Sequence, residues 1–174
     1  MTRKKKSPDV HTEIRSVLDS IRRIVRALRV ASRAAEKSVG ISGAQVFVLQ
    51  QLDSERPLSV NELAERTFTH QSSVSEVVQR LVEKNLVERK QSPEDGRRVE
   101  LTLTASGRSS LKKGPDATQL KMIAALEKMA AGERQDLATL LHAFVDGAGL
   151  ARETPGLFLE DDSARRSSAK ARKR

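Results

Sequence analysis

The sequence predicts a mainly α-helical domain that carries one short β-hairpin. Two patterns indicate this fold class. Along most of residues 10–150, apolar residues recur at spacings of three and four, which is the period of a helix with one buried face. Near residues 86–103 the period changes to two, and an Asp-Gly pair separates the two stretches. Because the 174 residues include four Phe and neither Trp nor Tyr, we expect an aliphatic core.

The first three helices are predicted from apolar spacing and from the residues that begin them. A long first helix runs from Val10 to near Gly40. Ser42 and Ser59 each stand three residues before a Gln or Glu, which is the spacing of a capping box at the start of a helix. Pro57 separates the second helix from the third.

One face of the first helix is rich in arginine. This face is either a solvated surface or a site for an anionic effector, and we favour the solvated surface because like charges are tolerated on a wet helix face. The arginines are Arg15, Arg22, Arg23, Arg26, Arg29 and Arg33.

A turn at about Thr67–Thr69 leads to a fourth helix, whose apolar residues again follow the three-and-four spacing. Asn85 tolerates the left-handed conformation that ends many helices, so we expect the fourth helix to stop there. Two short strands follow at 86–91 and 97–103, joined through the turn signal Asp95-Gly96.

The C-terminal part of the domain is helical again. Thr104 caps a fifth helix, and Gly114-Pro115 is expected to kink or break it, because proline lacks the donor N–H and clashes with the preceding turn. A sixth helix runs from about Gly132 to Gly147.

Two tails flank the domain at 10–150. Residues 1–9 and 151–174 are polar and charged, and each carries a net charge of +3 out of the total of +9. Neither tail contains enough apolar surface to offset the entropy of ordering it, so both are predicted to be disordered. A basic chain favours phosphate-bearing partners, but charge on the tails says little about a site.

Several function classes are not expected. The chain has no Cys, which excludes disulfides and thiolate chemistry. No motif orients a nucleophile and a base, so no enzymatic activity is expected. The histidines, His11, His70 and His142, lack metal-ligand spacing, so neither a metal nor another cofactor is predicted. Without an apolar run of membrane-spanning length or a secretory signal, we expect a cytoplasmic protein with no membrane partner.

The third helix, the turn and the fourth helix together form a helix-turn-helix, and the hairpin beside it forms a wing. A helix fits the major groove of B-DNA, and short polar side chains at its N-terminal end reach the base edges. Arg97 and Arg98 at the hairpin tip suit a narrow, electronegative minor groove. The polar residues on the face opposite Val74, Val77 and Val78 are Gln71, Ser72, Ser73 and Ser75.

Five segments between about Ser59 and Arg108 carry a more specific pattern. They are Asn61-Glu62-Leu63-Ala64-Glu65-Arg66, Gln71-Ser72-Ser73-Val74-Ser75, Val78-Gln79-Arg80-Leu81-Val82-Glu83-Lys84-Asn85-Leu86-Val87-Glu88-Arg89, Pro93-Glu94-Asp95-Gly96-Arg97-Arg98 and Leu103-Thr104-Ala105-Ser106-Gly107-Arg108. They resemble the MarR family of bacterial transcriptional regulators, and the hairpin segment is the most specific of the five. The flanking helices fit more loosely, so the resemblance covers about residues 10–150.

The resemblance implies a winged helix-turn-helix homodimer. In that arrangement 10–38 and 105–150 form the dimerisation helices, and 42–104 forms the DNA-binding part. The implied function is a sequence-specific regulator of transcription, a repressor, that binds a palindromic duplex operator. The family also implies a small-molecule effector, frequently a phenolic anion, bound between the DNA-binding part and the dimer helices. The low aromatic content of this chain weakens the case for a stacked phenolic ligand.

The resemblance also assigns roles to residues. Asp95 orients Arg97, which enters the minor groove beside Arg98. Gln71, Ser72, Ser73 and Ser75 face the major groove, and Arg80 completes the set of DNA-binding residues. The chain departs from the family at two positions. Phe68 stands where the family has a small residue in the turn, so we expect a differently built turn, because a bulky residue with positive φ is strained. Glu76 stands where the family often has Arg.

A second interpretation comes from a different class of function. A winged helix also serves as a protein–protein interaction module without specific DNA readout. A basic recognition face separates the two interpretations, but here that face carries Gln71 and serines, with Glu76 against it. The sequence therefore separates them incompletely.

Overall fold

The computed structural model describes residues 9–54, 56–152 and 155–159, which form seven helices and two strands. The sequence predicts disordered tails, and residues 1–8 and 160–174 of those tails lie outside the described residues. The elements are α1 Val10–Val39, α2 Gly43–Leu52, α3 Val60–Thr67, α4 Gln71–Glu83, β1 Val87–Gln91, β2 Val99–Leu103, α5 Ala105–Lys113, α6 Thr118–Lys128 and α7 Ala131–Gly147.

The helix boundaries follow the predicted capping chemistry. Gly40 ends α1 in the left-handed region at φ 70°, where glycine meets no Cβ penalty. Ser42 and Ser59 both form the reciprocal capping box, each accepting from the backbone N–H three residues on. Thr104 Oγ1 accepts from the Gly107 N–H at 2.9 Å and so begins α5.

The core lies where α2, α3, α4 and the hairpin meet. α2 is buried on nearly all sides, which explains why it lacks the one-sided stripe of the longer helices. The fully buried side chains are aliphatic apart from Phe47, as the composition predicts. They are Phe47, Leu49, Leu58, Leu63, Leu81, Leu101, Val48, Val74, Val77, Val78 and Val87.

The hairpin is confirmed, but its connection is longer than an Asp-Gly turn. The strands pair antiparallel from Val87 opposite Leu103 to Gln91 opposite Val99, so residues 92–98 form the loop. Gly96 does not have positive φ, which the two-residue primed turns favoured by Asp-Gly require. Leu58 adds a short bridge to Leu101, which attaches the hairpin to the segment before α3.

Gly114-Pro115 breaks the C-terminal helical region, as predicted. α5 ends at Lys113, and α6 starts after a four-residue interval. The Gly114 N–H donates to the Ser110 carbonyl at 2.8 Å, which closes the last turn of α5. α6 therefore has a direction of its own and packs against α1 and α2.

The prediction of one disordered tail from residue 151 onward is wrong in part. The segment Pro155–Leu159, called the C-terminal strap below, packs against the domain. Leu157 is buried in the core cluster, and Gln119 Nε2 of α6 donates to the Phe158 carbonyl at 3.3 Å. The prediction weighed the charge of the tail and missed that burial of one apolar side chain, Leu157, favours packing of a short segment against the domain.

Candidate nucleic-acid interface

Helix α4 is held by one apolar face. Val74, Val77 and Val78 are fully buried at the spacing i, i+3, i+4, so this face of the helix packs on the core. His70 precedes the helix as its N-cap without a side-chain capping bond, and no acidic residue lies in the first turn. The positive end of the helix dipole therefore faces solvent without a neutralising carboxylate in that turn.

The structure separates the four polar residues that the sequence grouped on α4. Gln71 and Ser72 are exposed and Ser75 is half-buried, so these three lie at the accessible N-terminal end. Ser73 is 2% exposed and lies among the buried valines, so its prediction as a groove-facing residue is wrong. At Ser73 the helix has already turned its side chain toward the core, because Ser73 is adjacent to Val74 and one turn from Val77. Further along α4, Arg80 is half-buried and Glu76 is exposed.

The turn between α3 and α4 does contain the backbone conformation that we expected Phe68 to avoid. Phe68 adopts φ 52° and ψ 40°, and its N–H donates to the carbonyls of the last turn of α3. The expectation of a differently built turn is therefore wrong. The turn tolerates the backbone strain at Phe68 because hydrogen bonds fix it on both sides. Thr67 Oγ1 donates to the Leu63 carbonyl, and the Thr69 N–H donates to the Ala64 carbonyl.

The tip of the wing is ordered by Asp95. Asp95 Oδ1 accepts from the Arg97 N–H at 3.0 Å, and the Asp95 carbonyl accepts from the Arg98 N–H at 2.9 Å. An aspartate that bonds the backbone two residues on is a common device for closing a turn. The bonds fix the backbone of Arg97 and leave its side chain exposed.

Arg98 points in another direction. Its Nη2 donates to Glu62 Oε2 at 2.6 Å, across 36 residues of sequence, and so joins the wing to the start of α3. Arg56 Nη1 lies on the other carboxylate oxygen at 2.8 Å. Glu62 also closes the capping box by accepting from the Ser59 N–H at 2.7 Å.

These contacts lower the pKa of Glu62 from 4.5 to about 2. The Ser59 backbone N–H is the largest cause, followed by Arg56 and the Ser59 hydroxyl, with a smaller contribution from Arg98. The sequence identified Glu62 as half of a capping box but gave no sign that it also anchors the wing. Nothing in the spacing of Glu62 and Arg98 could have shown this contact, since the contact depends on how the hairpin packs against α3.

A large cleft opens on the other side of the α3–α4 turn. This cleft, which we call the interlobe cleft, has a volume of about 1210 Å³ and lies between the helix-turn-helix, helices α6 and α7, and the C-terminal strap. Its wall contains Thr67, Phe68, Thr69 and His70, the residues that connect α3 to α4. The sequence gives no sign of this cleft, because its walls come from segments up to about 110 residues apart in the chain.

Within residues 9–54, 56–152 and 155–159, no three His, Asp or Glu side chains come together as metal ligands. None of the helices there is long and apolar enough to cross a membrane.

A helix-turn-helix followed at once by an antiparallel two-stranded wing defines the winged-helix class of proteins. Within that class, the MarR family model matches residues 39–98, which run from the end of α1 through α4 and the wing loop. This match confirms the resemblance seen in the sequence over about a third of the chain.

Known relatives agree with this assignment. The HTH-type transcriptional repressor MdtR of Bacillus subtilis is 40% identical over 68 residues, which make up 39% of this chain and 44% of MdtR. The match therefore spans less than half of that relative's length.

Solved structures match over more of the chain. A mutant MarR of E. coli, crystallised with operator DNA, is 23% identical with a TM-score of 0.53, covering 79% of this chain and 99% of that one. The transcriptional regulator BldR of Sulfolobus solfataricus is 24% identical with a TM-score of 0.51, covering 80% and 99%. Both matches confirm the predicted fold class of helices with a small hairpin wing.

Proposed function

We propose that two copies of this chain bind a palindromic duplex-DNA operator and regulate transcription as a repressor. One observation carries the proposal: the exposed side chain of Arg97 is presented on a wing that is fixed by Asp95 and anchored through Arg98. A rigid, basic tip next to the open N-terminus of a helix fits a DNA groove and its flanking phosphates.

Helix α4 enters the major groove in this proposal. Gln71, Ser72 and Ser75 supply short polar groups at its exposed N-terminal end, where Gln can donate to and accept from an adenine edge. The positive end of the helix dipole favours a nearby phosphate, and Arg80 lies further along the same helix for a backbone contact. Ser73 has no role in contacting DNA, because it is buried.

The wing arginines have different roles. Arg97 enters the minor groove, while Arg98 acts as a positioning residue that holds the wing against α3 through Glu62. Loss of Arg97 therefore removes a DNA contact, whereas loss of Arg98 loosens the support of that contact.

The proposed homodimer uses the N-terminal half of α1 together with α7. Large apolar side chains are exposed along both helices, and α7 contains no buried residue. Exposure of apolar residues at helical spacing marks an interface, because a single chain leaves them in water. They are Val10, Ile14, Val17, Ile24, Val25, Leu140, Leu141 and Phe144.

The proposed regulation is repression of transcription, relieved by a small molecule. The name of MdtR, a transcriptional repressor, supports the negative sign of regulation. The interlobe cleft supports relief by a small molecule, because a ligand there would touch the residues immediately before α4. A ligand that favours a different position of α4 lowers the affinity for the operator, and the operator lowers the affinity for that ligand by the same coupling free energy.

The test of DNA binding begins with selection of bound sequences from random duplex DNA. We expect a palindrome whose half-sites are about one helical turn, roughly 10 base pairs, apart. A selection that enriches no sequence, together with no binding to duplex DNA at low salt, would favour the protein–protein interaction module instead.

The wing assignment is tested by gel-shift titration of Arg97→Ala on the selected operator. We expect at least about a tenfold loss of affinity for the operator. The slope of log affinity against log salt concentration should also become shallower by roughly two for the dimer, one for each arginine removed. Arg33→Ala removes the same charge from the exposed face of α1 and serves as the matched control. Equal behaviour of the two variants would contradict the assignment.

A further inference from the structure

The arginines of α1, apart from Arg23, form one row along the helix. At about 100° per residue, the side chains of this row fall within an arc of about 60° around the helix axis. The row is about 27 Å long, because each residue advances an α-helix by about 1.5 Å. All of its side chains are exposed. We call this row the arginine ridge, and its members are Arg15, Arg22, Arg26, Arg29 and Arg33.

Little of the charge on the ridge is neutralised within the described part of the chain. Arg22 Nη1 lies 2.8 Å from Asp19 Oδ1, and both side chains are largely exposed. Glu36, the other carboxylate of α1 that borders the ridge, accepts from Ser32 Oγ at 3.1 Å. The remaining arginines of the ridge form no ion pair with any described residue. Their guanidinium groups are therefore available to an anionic partner.

The spacing of the ridge weakens the helix that carries it. From Arg22 to Arg33 its members stand three or four residues apart, so like charges face each other on adjacent turns. Such pairs destabilise a helix, whereas a helix face that is only solvated commonly alternates the two signs of charge. A row of nearly uniform sign indicates a negatively charged partner that offsets this repulsion.

The ridge lies on a different side of α1 from the face that packs on the fold. Leu28, Ser32 and Ala35 are buried where α1 packs on α2, and they lie about 130° around the helix from the ridge. The exposed apolar side chains proposed for the homodimer, such as Ile14 and Val17, continue along the same face as these buried residues. A second chain seated on the apolar face therefore leaves the ridge open to a further partner.

We propose that the arginine ridge binds the phosphate backbone of duplex DNA without reading its sequence, as a surface separate from α4 and the wing. Duplex DNA carries about one negative charge per 1.7 Å of its axis, so a row about 27 Å long meets several phosphates in succession. Each guanidinium can also donate two parallel N–H bonds to one phosphate. A single small anion would occupy only part of such a row.

The orientation of the ridge adds a consequence. Since the ridge is turned away from the face of α1 that packs on α2, a duplex bound there is a second duplex and not the one proposed for α4 and the wing. A protein that holds an operator at α4 can therefore bridge it to a neighbouring duplex. Bridging rests on the proposed function, whereas binding of DNA by the ridge does not.

An anionic lipid surface is the other extended polyanion that a basic helix can meet. A helix bound to a membrane surface lays its apolar face among the headgroups and keeps its basic residues on the polar face. In α1 that apolar face has other partners, because Leu28 and Ala35 are buried in the fold and the preceding apolar residues belong to the proposed dimer. Duplex DNA needs the arginine face alone.

The first test is the salt dependence of binding to a short duplex of random sequence, followed by fluorescence anisotropy with the full chain. The double variant Arg26→Gln, Arg29→Gln should lower the affinity at least about tenfold in low salt. The slope of log affinity against log salt concentration should become shallower by roughly two per bound chain, one for each arginine removed.

The matched control is the double variant Lys113→Gln, Lys121→Gln, which removes the same charge from exposed positions on α5 and α6. It should change the slope by less than about one, because general electrostatic attraction is lowered equally but no phosphate contact is lost. Circular dichroism and thermal unfolding without DNA show whether each variant is folded. The variant Arg26→Gln, Arg29→Gln should unfold at the same temperature as the parent or a higher one, since like-charge pairs are removed.

The second test asks whether one protein holds two duplexes. The selected operator is immobilised on beads, and a fluorescent duplex of unrelated sequence is added with the protein. The parent should retain the fluorescent duplex. The variant Arg26→Gln, Arg29→Gln should retain at most about a tenth as much while it binds the immobilised operator as tightly as the parent.

Two results would overturn the proposal. One is an equal effect of the arginine pair and the lysine pair on the salt slope. The other is binding to phosphatidylserine vesicles that depends on the arginine pair when binding to duplex DNA does not, which would assign the ridge to a membrane surface. If selection yields no operator but the arginine pair alone changes the salt slope, the regulator is overturned and the ridge stands. An operator bound with equal slopes for the two variants gives the reverse conclusion.

Discussion

The winged-helix lobe, residues 43–103, buries most of its large apolar side chains. The two helical arms, which are the N-terminal half of α1 and α7, leave many of theirs exposed. In the lobe the large apolar side chains are almost all buried, and the eleven largest of the fully buried ones are less than 2% exposed. In the arms the same residue types are exposed, with Leu140 at 69% and Ile14 at 52%. The lobe buries its apolar surface within one chain, whereas the arms leave much of their apolar surface exposed.

The two parts are therefore expected to depend on a second chain to different degrees. Burial of an apolar side chain stabilises whichever state removes it from water, so the lobe contributes to folding and the arms contribute to association. The stability of the lobe should be nearly independent of protein concentration, whereas the stability of the arms should increase as the protein concentration increases.

The largest effect is expected in the lobe. Leu81→Ala removes a fully buried side chain from α4 and should lower the free energy of unfolding by about 2–5 kcal/mol, because a cavity remains where the side chain packed. Urea denaturation followed by circular dichroism measures the loss, which should be similar at low and high protein concentration. A loss that appears only at high concentration would place Leu81 in an interface instead.

The arms should respond through association. Leu140→Asp places a charge on the exposed apolar face of α7 and should weaken the proposed dimer about 10- to 100-fold, the equivalent of one buried leucine. Sedimentation equilibrium gives the dissociation constant. Gln135→Asp adds the same charge on the opposite face of the helix and is the matched control, so equal weakening by both variants would remove α7 from the interface.

The junction between wing and α3 should give a pH-dependent effect. The folded pKa of Glu62, about 2, lies below its ordinary value of 4.5, so its ionised form stabilises the folded state above pH 4.5. That contribution is lost as the pH falls from about 4.5 toward 2. Glu62→Gln should therefore cost about 1 kcal/mol at pH 7 and progressively less in acid, because a neutral amide can keep the capping box but loses the ion pairs with Arg56 and Arg98.

Stability of the parent and of Glu62→Gln is compared by urea denaturation at a series of pH values. The difference between the two proteins should shrink below pH 4.5. A difference that stays constant down to pH 2.5 would show that the lost contacts are steric rather than ionic.

The smallest effect is expected at the turn, and it has the opposite sign. Phe68→Asn should raise the free energy of unfolding by about 0.5–1 kcal/mol, because Asn tolerates the left-handed conformation and the ring of Phe68 is mostly exposed. A variant that is destabilised instead would mean that the ring packs on the fold more than its exposure indicates.

The local parts of the fold were predictable from the sequence. The capping boxes at Ser42 and Ser59 and the left-handed stop at Asn85, with φ 54°, depend on residues within three or four positions. The existence of the hairpin was predictable for the same reason. Its seven-residue loop was not, because Asp95 bonds the backbone of Arg97 and Arg98 instead of closing a two-residue turn.

The candidate site was predictable only in outline. Gln71, Ser72, Asp95 and Arg97 lie on the exposed surface as the pattern indicated. Ser73 was misplaced because the boundary between the buried and exposed faces of a helix depends on the angle at which it packs, and one residue changes the direction by 100°.

Periodicity and short-range capping determined the order and the ends of the elements, since the hydrogen bonds that begin and end a helix join near neighbours in the chain. The packing of the elements, by contrast, brings Arg98 to Glu62, anchors the strap through Leu157, and places Phe68 and Phe158 on one cleft. Arg98 lies 36 positions from Glu62, and Phe68 lies 90 positions from Phe158, so these contacts depend on how whole elements pack against one another. Packing is set by the summed burial of many side chains, which the identity of any single residue does not reveal.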